Sequence, residues 1–590
     1  MYTTGTAFLE ALQEAGVSYI FANLGSDHPA IIESLARARQ VNKELPTVIT
    51  CPHEFAALSA AHGYAQVTGE PQAVMVHVEC GTQNLGGAIH NASRSRVPVF
   101  IFAGASPYTQ EGELTGSRNE FIHWIQDVPD QRGIVRGYTK YDNEIRSGTN
   151  VKQLVFRALQ IAKSDPPGPV YLMGPREVME EKAEPVVLDK ELWEPISSGA
   201  IAPRPLQELA EALATAESPL IVTSYLGRNK EAVSELVRLS ETLAVPVIES
   251  IPHQMNFPHE HPMHCGSEWN TPGQNELLAE ADLVLVIDSD VPWIPMKNKP
   301  AAEATIYYMD IDPLKEDMPL WYIPSRKFLK VDSCTALKQI NHYMAEHHGL
   351  LDAAAIEKRW DRFAKIHDQQ WIEKHRKEQA ETDIITPEYL TACVREAIDE
   401  ETIVLNEGIT NYGAISNHIG VNVPGSYYGS GAGSLGWNGG AAVGMKLAKP
   451  EKTIVSLTGD GSYLFSVPST VHWMSQRYNA PFLTVIYNNS GWKAPKMSTL
   501  GVHPEGVAKQ TEGFWVNFDP EADLAKIAEA AGGAHPIDVK ERTALKEALK
   551  EALQVVRNGK SVVLNVRIPH VYDNEDYTKE KGKYEMEAES

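Results

Sequence analysis

The stretch that decides the fold is 453-TIVSLTGDGSYLFSVPSTVHWMSQRYNAPFLTVIYNNSGWKAPK-496. Its first apolar run ends in GDGS (459–462), a helical stretch follows, and a second apolar run ends in NNSG (488–491). The carboxyl ends of parallel strands lie at one edge of a sheet, where doubly wound folds bind their ligands, so both motifs are expected to meet there. This alternation predicts a parallel sheet with helices on both faces.

The two motifs carry the residue types of a magnesium and phosphate site. Asp460 and Asn489 are expected to converge on one ion, with a backbone carbonyl nearby, and Mg²⁺ prefers a few oxygen ligands plus phosphate. Gly461 lets the backbone approach a diphosphate, and Ser462 opens a helix whose free N–H groups attract anions. Two unrelated turns are the alternative, but both motifs lie at strand ends one strand–helix–strand unit apart.

The same alternation extends over three segments of the chain. We predict three doubly wound α/β domains at residues 1–180, 196–345 and 386–570. A charged helical connector is expected at residues 346–385, because that stretch is rich in Lys, Glu, Gln and His. The end of the chain, residues 571–590, is interpreted as an acidic tail.

Composition limits the classes of function. The 590 residues include 53 basic and 77 acidic side chains, for a net charge of −24, which argues against general nucleic-acid binding and against association with anionic membranes. The five cysteines form no CxxC pair, and we find no signal peptide or membrane span. These features predict a large, multidomain, cytoplasmic enzyme.

GDGS followed by NN resembles the cofactor motif of the thiamine-diphosphate-dependent decarboxylase and acetohydroxyacid synthase superfamily. The stretch from Ser426 to Ser462 is similar to the benzoylformate decarboxylase family in particular. The resemblance implies that Asp460, Asn489 and the carbonyl of Gly491 hold Mg²⁺. It also implies that thiamine diphosphate contacts Glu407, Ile409, Thr410, Gly433, Ser434, Leu435, Asp460, Gly461, Ser462, Asn489, Gly491 and Trp492. Leu435 takes the place of the apolar wedge that bends the cofactor in such enzymes.

The first segment resembles the other half of such a site. His53-Glu54 precedes a small-residue helix much as in the family, where the glutamate binds N1′ of the cofactor. A proton at N1′ lets the 4′-imino tautomer remove the C2 proton. The resemblance also assigns His77 as a catalytic histidine and Ser26 as a contact of the substrate carboxylate. A plain strand-end histidine is the alternative for His77.

The resemblance implies a reaction and an assembly. A 2-oxo acid would be attacked by the cofactor ylid and decarboxylated, and the enamine would be protonated to an aldehyde or would attack a second carbonyl. The site would lie between Glu54 of one subunit and Asp460 of another, in a homodimer or homotetramer. The alternatives are an acetolactate-synthase-like carboligase, a 2-hydroxyacyl-CoA lyase, and a catalytically silent scaffold of the same fold.

Three further features bear on ligands. The glycines at 431, 433 and 436 fit a dinucleotide fingerprint, but we expect no buried strand before them. His253, His259, His261, His264 and Cys265 cluster in a segment whose prolines exclude a zinc helix, so we interpret it as a loop. The Asp310–Pro313 strand end leaves bound FAD possible but not favoured, and the central segment has no counterpart of the family's second catalytic histidine.

Overall fold

The computed structural model describes residues 2–270, 273–379 and 382–571. It contains three parallel six-stranded sheets flanked by helices, which confirms the predicted fold class. The predicted acidic tail lies outside the described residues beyond Val571. Short 3₁₀ helices cover Arg132–Ile134, Arg136–Tyr138, Gly148–Asn150, Lys190–Trp193, Leu226–Arg228, His348–Leu350, Ile409–Asn411 and Arg542–Ala544.

The first domain holds the first sheet. Its strands are β1 (Tyr19–Ala22), β2 (Thr47–Thr50), β3 (Ala73–Val76), β4 (Phe100–Ala105), β5 (Tyr141–Glu144) and β6 (Val170–Pro175). Its helices are α1 (Thr4–Glu14), α2 (Pro29–Gln40), α3 (Glu54–Thr68), α4 (Val78–Asn84), α5 (Gly86–Arg94), α6 (Ile122–Ile125), α7 (Val151–Lys163) and α8 (Arg176–Glu180).

The central domain follows, and a long helix leads out of it. Its strands are β7 (Pro219–Thr223), β8 (Val247–Ser250), β9 (His264–Glu268), β10 (Leu283–Ile287), β11 (Thr305–Asp310) and β12 (Lys327–Lys330). Its helices are α9 (Pro203–Thr215), α10 (Lys230–Leu243), α11 (Glu276–Glu280) and α12 (Ser333–Glu346), and the connector is α13 (Ala353–Glu378). The connector is less solvated than its composition predicts, because Arg359, Phe363, His367 and Glu378 are buried.

The third domain completes the described chain. Its strands are β13 (Thr402–Glu407), β14 (Tyr427–Gly429), β15 (Thr453–Gly459), β16 (Leu483–Asn488), β17 (His535–Val539) and β18 (Val562–Arg567). Its helices are α14 (Pro387–Ala397), α15 (Tyr412–His418), α16 (Trp437–Ala448), α17 (Asp460–Phe465), α18 (Pro468–Arg477), α19 (Lys493–Val502), α20 (Val507–Gln510), α21 (Leu524–Gly532) and α22 (Leu545–Arg557).

The strand orders of the first and third domains are equivalent. The first sheet runs β2-β1-β3-β4-β6-β5 and the third β14-β13-β15-β16-β18-β17, so each places its strands in the relative order 2-1-3-4-6-5. The central sheet runs β12-β11-β10-β7-β8-β9, which is the 3-2-1-4-5-6 order of dinucleotide-binding folds. Strands in the middle of a sheet, such as β10 and β16, are mostly apolar and fully buried, as parallel sheets covered on both faces require.

One sequence expectation is wrong at β14. Tyr427–Gly429 is a buried strand, paired in parallel with β13, so a strand does precede the glycines at 431, 433 and 436. The strand escaped prediction because it is only three residues long and lies at the sheet edge. Its aromatic side chains are covered by other parts of the chain, as shown by the antiparallel bridge from Gln254 to Tyr428.

Helices α3 and α16 pack the first domain against the third at very short range. An added Cβ at Gly63 would lie 2.4 Å from the carbonyl oxygen of Ala441, and one at Gly444 would lie 1.9 Å from that of Ala60. Only glycine allows the two backbones to approach so closely. Within the described residues, no helix is long and apolar enough to cross a membrane.

Candidate active site

The GDGS and NNSG segments meet at the carboxyl edge of the third sheet, as predicted from the sequence. Asp460 follows β15 and Asn489 follows β16, its neighbour in the sheet. The Asp460 carboxylate accepts hydrogen bonds from the backbone N–H of Gly461 at 2.8 Å and of Gly491 at 2.9 Å. These bonds aim the carboxylate across the gap between the two strand ends.

Oxygen atoms of Asp460, Asn489 and Gly491 lie close together, as the ligands of a cation do. The amide oxygen of Asn489 lies 3.3 Å from Asp460 Oδ1 and 2.9 Å from the Gly491 carbonyl oxygen. An octahedral Mg²⁺ site with bonds of about 2.05 Å has neighbouring oxygens about 2.9 Å apart. Swapping the amide would instead let its NH₂ donate to both oxygens. The oxygen-facing orientation fits Mg²⁺, because it supplies one carboxylate, one amide and one carbonyl ligand.

Burial leaves this carboxylate in need of a cation. Desolvation raises the pKa of Asp460 to about 6, although backbone hydrogen bonds from Gly461 and Gly491 oppose the rise. A bound divalent ion would stabilise the charged form. The neighbouring backbone is crowded, since a Cβ at Gly461 would lie 2.3 Å from Nε1 of Trp492. Glycine is therefore required there, and Ser462 follows in the buried first turn of α17.

Glu407 organises the loop in front of α16. Its buried carboxylate accepts backbone hydrogen bonds from Gly436 at 2.7 Å and from Asn438 at 2.9 Å, and the Asn438 side chain donates to it as well. Burial raises the pKa of Glu407 to about 7 against these donors. The carboxylate thus holds the start of the helix, directly after the predicted contacts Gly433, Ser434 and Leu435.

The first domain holds the same loop from the other side. Asn91 on α5 donates to the Ser434 carbonyl at 2.9 Å and accepts from the Ser434 N–H at 3.1 Å. Leu435 is half-buried beside them, and Thr410 is half-buried after β13. The contacts to Ser434 fix the 433–435 loop between the two domains, as a rigid wall for a ligand requires.

Glu54 lies at the equivalent edge of the first sheet. It follows β2 and forms the first residue of α3, where its half-buried carboxylate accepts a hydrogen bond of 2.5 Å from Asn84. A Cβ added at Gly81 on α4 would lie 3.3 Å from Oε1 of Glu54, so the space beside this carboxylate is limited on that side. The residue stays partly open to a ligand, in contrast to the buried Glu407.

His77 follows β3 and is held by a carboxylate that we did not anticipate. Its Nδ1 lies 2.6 Å from Oδ1 of Asp27, whose other oxygen accepts from the Val78 N–H at 3.0 Å. The hydrogen bond to Asp27 raises the pKa of His77 above its ordinary value, while desolvation opposes the rise. Asp27 itself is buried, which opposes its ionisation, but His28 and His77 hold its pKa well below the usual range.

Ser26 and Gln126 complete the polar wall around His77. The buried hydroxyl oxygen of Ser26 has no hydrogen-bond partner among the described residues. Gln126 is buried, and its amide contributes to raising the pKa of His77. A Cβ at Gly25 would lie 2.1 Å from His77 Nδ1, so the turn before Ser26 must be glycine. An unpaired buried hydroxyl is costly unless a ligand completes it.

Backbone strain marks the same strand ends. Val78 after His77, Ile409 after β13, and Ser490 beside Asn489 have φ of 31°, 51° and 55°, in the left-handed region. Such conformations cost about 1–3 kcal/mol each in non-glycine residues and concentrate at ligand sites. The predicted contact Ile409 is β-branched, for which this region is especially unfavourable.

The structure thus brings the predicted residues together in two groups, one per sheet edge. Asp460, Asn489 and Gly491 form one, and Ser26, Glu54 and His77 form the other around β1, β2 and β3. Sequence reasoning missed Asp27 and Gln126. The carboxylate directly after Ser26 was a usable signal, because a strand-end histidine needs an orienting partner.

Family models fit all three domains. The thiamine pyrophosphate enzyme N-terminal TPP-binding domain matches residues 2–134, the central domain 206–318, and the C-terminal TPP-binding domain 408–566. Together they span about two thirds of the chain. The chain belongs to the thiamine pyrophosphate enzymes. The resemblance stated from the motifs is confirmed, and the protein is an enzyme of the decarboxylase and carboligase group of this family.

Similar proteins share nearly the full length of this thiamine pyrophosphate enzyme. A probable 2-ketoarginine decarboxylase of Pseudomonas aeruginosa is 26% identical over 529 residues, 87% of each chain. Benzoylformate decarboxylase of the same species is 24% identical and covers 94% of this chain and 98% of its own. The solved thiamine-diphosphate-dependent 4-hydroxybenzoylformate decarboxylase of Rhodococcus jostii has a TM-score of 0.76, 21% identity, and coverage of 97% and 99%. That last likeness supports the fold.

Proposed function

We propose that this protein is a Mg²⁺- and thiamine-diphosphate-dependent decarboxylase of a small 2-oxo acid. The observation that carries the proposal is the histidine–carboxylate pair His77–Asp27 beside the unpartnered hydroxyl of Ser26. A 2-oxo acid needs a hydrogen-bond donor for its carboxylate and a proton source for its product. The first-domain edge offers both, because Ser26 directly precedes Asp27, the partner of His77.

The third-domain edge would hold the cofactor. Asp460, Asn489 and Gly491 supply the oxygens for Mg²⁺, and the 433–435 loop forms the wall beside them. When bound, thiamine diphosphate supplies the electron sink that decarboxylation requires. Glu54 would bind the cofactor's pyrimidine ring through its half-buried carboxylate. The side chains would therefore position and polarise the cofactor, which supplies an electron sink that no side chain of the protein provides.

His77 would act as the general acid. The Asp27 carboxylate keeps the imidazole protonated to higher pH and fixes its orientation through Nδ1, which leaves Nε2 as the nitrogen that would face a substrate. Ser26 would donate to the substrate carboxylate, which gives its buried hydroxyl the partner it lacks within the described chain. Positioned proton transfer of this kind contributes about 10²–10⁴-fold in rate.

The working unit is proposed to be at least a dimer, because apolar side chains are exposed around both half-sites. In the first domain Phe121 is 80% exposed and Ile125 74%, and in the third domain Phe465 is 51% and Trp515 88% exposed. Large apolar side chains exposed near a site are often covered by a partner subunit. A partner that covers these side chains would bring a first-domain edge to a third-domain edge.

The decisive experiment offers pyruvate, benzoylformate and branched 2-oxo acids to the protein with Mg²⁺ and thiamine diphosphate. Release of CO₂ and of an aldehyde is expected from at least one of them, detected by mass spectrometry. Glu54→Gln should slow CO₂ release by at least about 10²-fold. Glu70→Gln, an exposed glutamate just beyond the other end of α3, is the matched control and should leave the rate unchanged.

Two outcomes would overturn or redirect the proposal. Absence of turnover with every 2-oxo acid, or equal rates for Glu54→Gln and wild type, would contradict it. A condensed 2-hydroxy ketone formed only when an aldehyde acceptor is added would move the assignment to a carboligase.

A further inference from the structure

We propose that the central domain holds a first-row transition metal, of which Zn²⁺ is the best match, on Glu249, His259 and His264. One ligand atom from each of these buried residues lies within 4.8 Å of the other two. This site is separate from the Mg²⁺ site: Glu249 is on β8, His264 begins β9, and His259 lies in the loop between these strands.

The three side chains are arranged as ligands around one point. Nε2 of His259 lies 3.1 Å, and Nε2 of His264 3.2 Å, from the same carboxylate oxygen, Oε2 of Glu249. The two imidazoles stack with ring centroids 4.5 Å apart and planes 19° from parallel, so one ring must turn for both nitrogens to face a shared ion. A tetrahedral zinc site with bonds of about 2.0–2.1 Å has ligand atoms about 3.3 Å apart. The measured separations are close to that value.

A supporting shell holds the carboxylate in place. Asn256 donates its side-chain N–H to the other oxygen of Glu249 at 2.8 Å, and Ser267 Oγ lies 3.3 Å from Oε2. His367 on α13 makes a contact of 2.7 Å with the backbone carbonyl of His264. Hydrogen bonds of this kind orient metal ligands and tune their affinity. The cluster is thus restrained from both sides.

A cavity borders the two histidines of the cluster. His259, His264 and Ser267 line a cavity of about 870 Å³ that also reaches α13 and α15. Three protein ligands with a fourth position toward solvent is a common zinc arrangement. Nitrogen ligands from two imidazoles favour zinc, copper, iron or nickel over Mg²⁺ or Ca²⁺.

Such a metal would stabilise the face of the central domain that contacts the third domain. The His259 N–H donates to the Val421 carbonyl at 3.2 Å, and the Ser267 N–H donates to Asn417 at 3.2 Å. The ligands therefore lie directly behind the contact between these domains. The prolines of the 252–262 loop do exclude a zinc helix, as expected from the sequence, but two strands and their loop supply the ligands instead.

The test measures metal rather than turnover. Untagged protein is stripped with a chelator, offered Zn²⁺ or Co²⁺ with excess Mg²⁺, passed through gel filtration, and analysed by mass spectrometry for bound metal. Wild type should retain one equivalent per chain, and the Co²⁺ form should show tetrahedral visible bands. Zn²⁺ should also raise the midpoint of thermal unfolding by at least about 2 °C.

Variants locate the bound ion. His259→Gln and His264→Gln should lose more than about tenfold in affinity and lose the cobalt bands. His261→Gln is the matched control, because His261 pairs with Glu241 outside the cluster and should retain the metal. Asp460→Asn should retain it too. The proposal is overturned if wild type binds no Zn²⁺ or Co²⁺, or if the two ligand variants, folded by circular dichroism, bind as well as His261→Gln.

Discussion

The first and third domains share a strand order but place different chemistry at the same edge. In the first, the loops after β1, β2 and β3 carry ionisable groups: Asp27, Glu54 and His77. In the third, the ends of β15 and β16 carry oxygens that face one another around Asp460. One edge is suited to moving a proton and the other to holding a cation.

The difference shows which property of a strand end decides its role. Asp27 and Asp460 are both buried carboxylates just beyond a strand, yet their pKa values move in opposite directions. Two histidines lower the pKa of Asp27, whereas desolvation raises that of Asp460 to about 6. The chain compensates Asp27 with two histidines, which suits it to orient a neighbour, whereas it leaves Asp460 beside two other oxygens with no cation of its own.

The central sheet supplies a third case. Its carboxyl edge carries Asp310, and the buried Lys315 lies 2.7 Å from that carboxylate and 2.9 Å from Asp290. Arg96 from the first domain pairs with Asp290 and Asp312. The chain thus compensates these carboxylates with its own cations. The strand order of this sheet would suit a dinucleotide, and FAD as a possible but not favoured ligand stays a prediction.

The largest effect is expected from Asp460→Asn. Loss of the single carboxylate ligand should weaken Mg²⁺-dependent binding of thiamine diphosphate by more than about 100-fold, measured by calorimetry. The unliganded protein should be no less stable, because the substitution removes a desolvated charge. Asp361→Asn, exposed on α13, is the control. Unchanged cofactor affinity in Asp460→Asn would contradict the assignment of cation binding to the third-domain edge.

Asp27→Asn should show the opposite division of effects. Cofactor affinity should stay at the wild-type value, while turnover falls by about 10²-fold because His77 loses the partner that orients and protonates it. The carboxylate raises the pKa of His77, so its removal should shift the alkaline limb of the pH–rate profile to lower pH.

A purely structural role for Asp27 would give a different result. Turnover would fall in proportion to the folded fraction, and the alkaline limb would stay in place. Measuring the profile of Asp27→Asn beside the wild type therefore separates positioning from folding.

Much of this arrangement could be predicted from the sequence, and the omissions have physical causes. The buried central strands and the GDGS and NNSG ends are local patterns, so their edge was predictable. The strands β5 (YDNE) and β12 (KFLK) are hard to predict from the sequence, because partly exposed edge strands lack an apolar run. The Asp27–His77 contact spans 50 residues and depends on β1 and β3 being neighbours, which local periodicity does not specify.

The packing of the two domains should be sensitive to a single methyl group. In Gly444→Ala the new Cβ would lie 1.9 Å from the backbone oxygen of Ala60, which has no side-chain freedom with which to move. We expect the free energy of unfolding to fall by about 3 kcal/mol, as measured by urea denaturation. Gly501→Ala on α19 meets no atom within 4 Å and should be neutral or stabilising by up to about 1 kcal/mol. Equal stability of the two variants would contradict the close approach of α3 and α16.

The smallest expected effect is a pH dependence of stability at the contact between α3 and α16. His62 on α3 is buried against Trp437, with ring centroids 5.8 Å apart, and desolvation lowers its pKa to about 3. His472 inside the third domain has its pKa lowered to about 3 by the same cause. Because the unfolded chain binds a proton below about pH 6.5 and the folded chain does not, each histidine destabilises the fold as pH falls toward 3.

Replacing His62 should therefore flatten the acid loss of stability, and His472→Gln tests whether the two domains unfold together. Between pH 6.5 and 5 the gain for His62→Gln is at most about 2 kcal/mol relative to wild type, from about 1.36 kcal/mol per pH unit. Thermal midpoints measured from pH 7 to 5 give the slope. If acid first separates the first domain from the third, only His62→Gln will change the slope, because His472 stays buried inside its own domain. If both variants flatten it equally, the two domains unfold together.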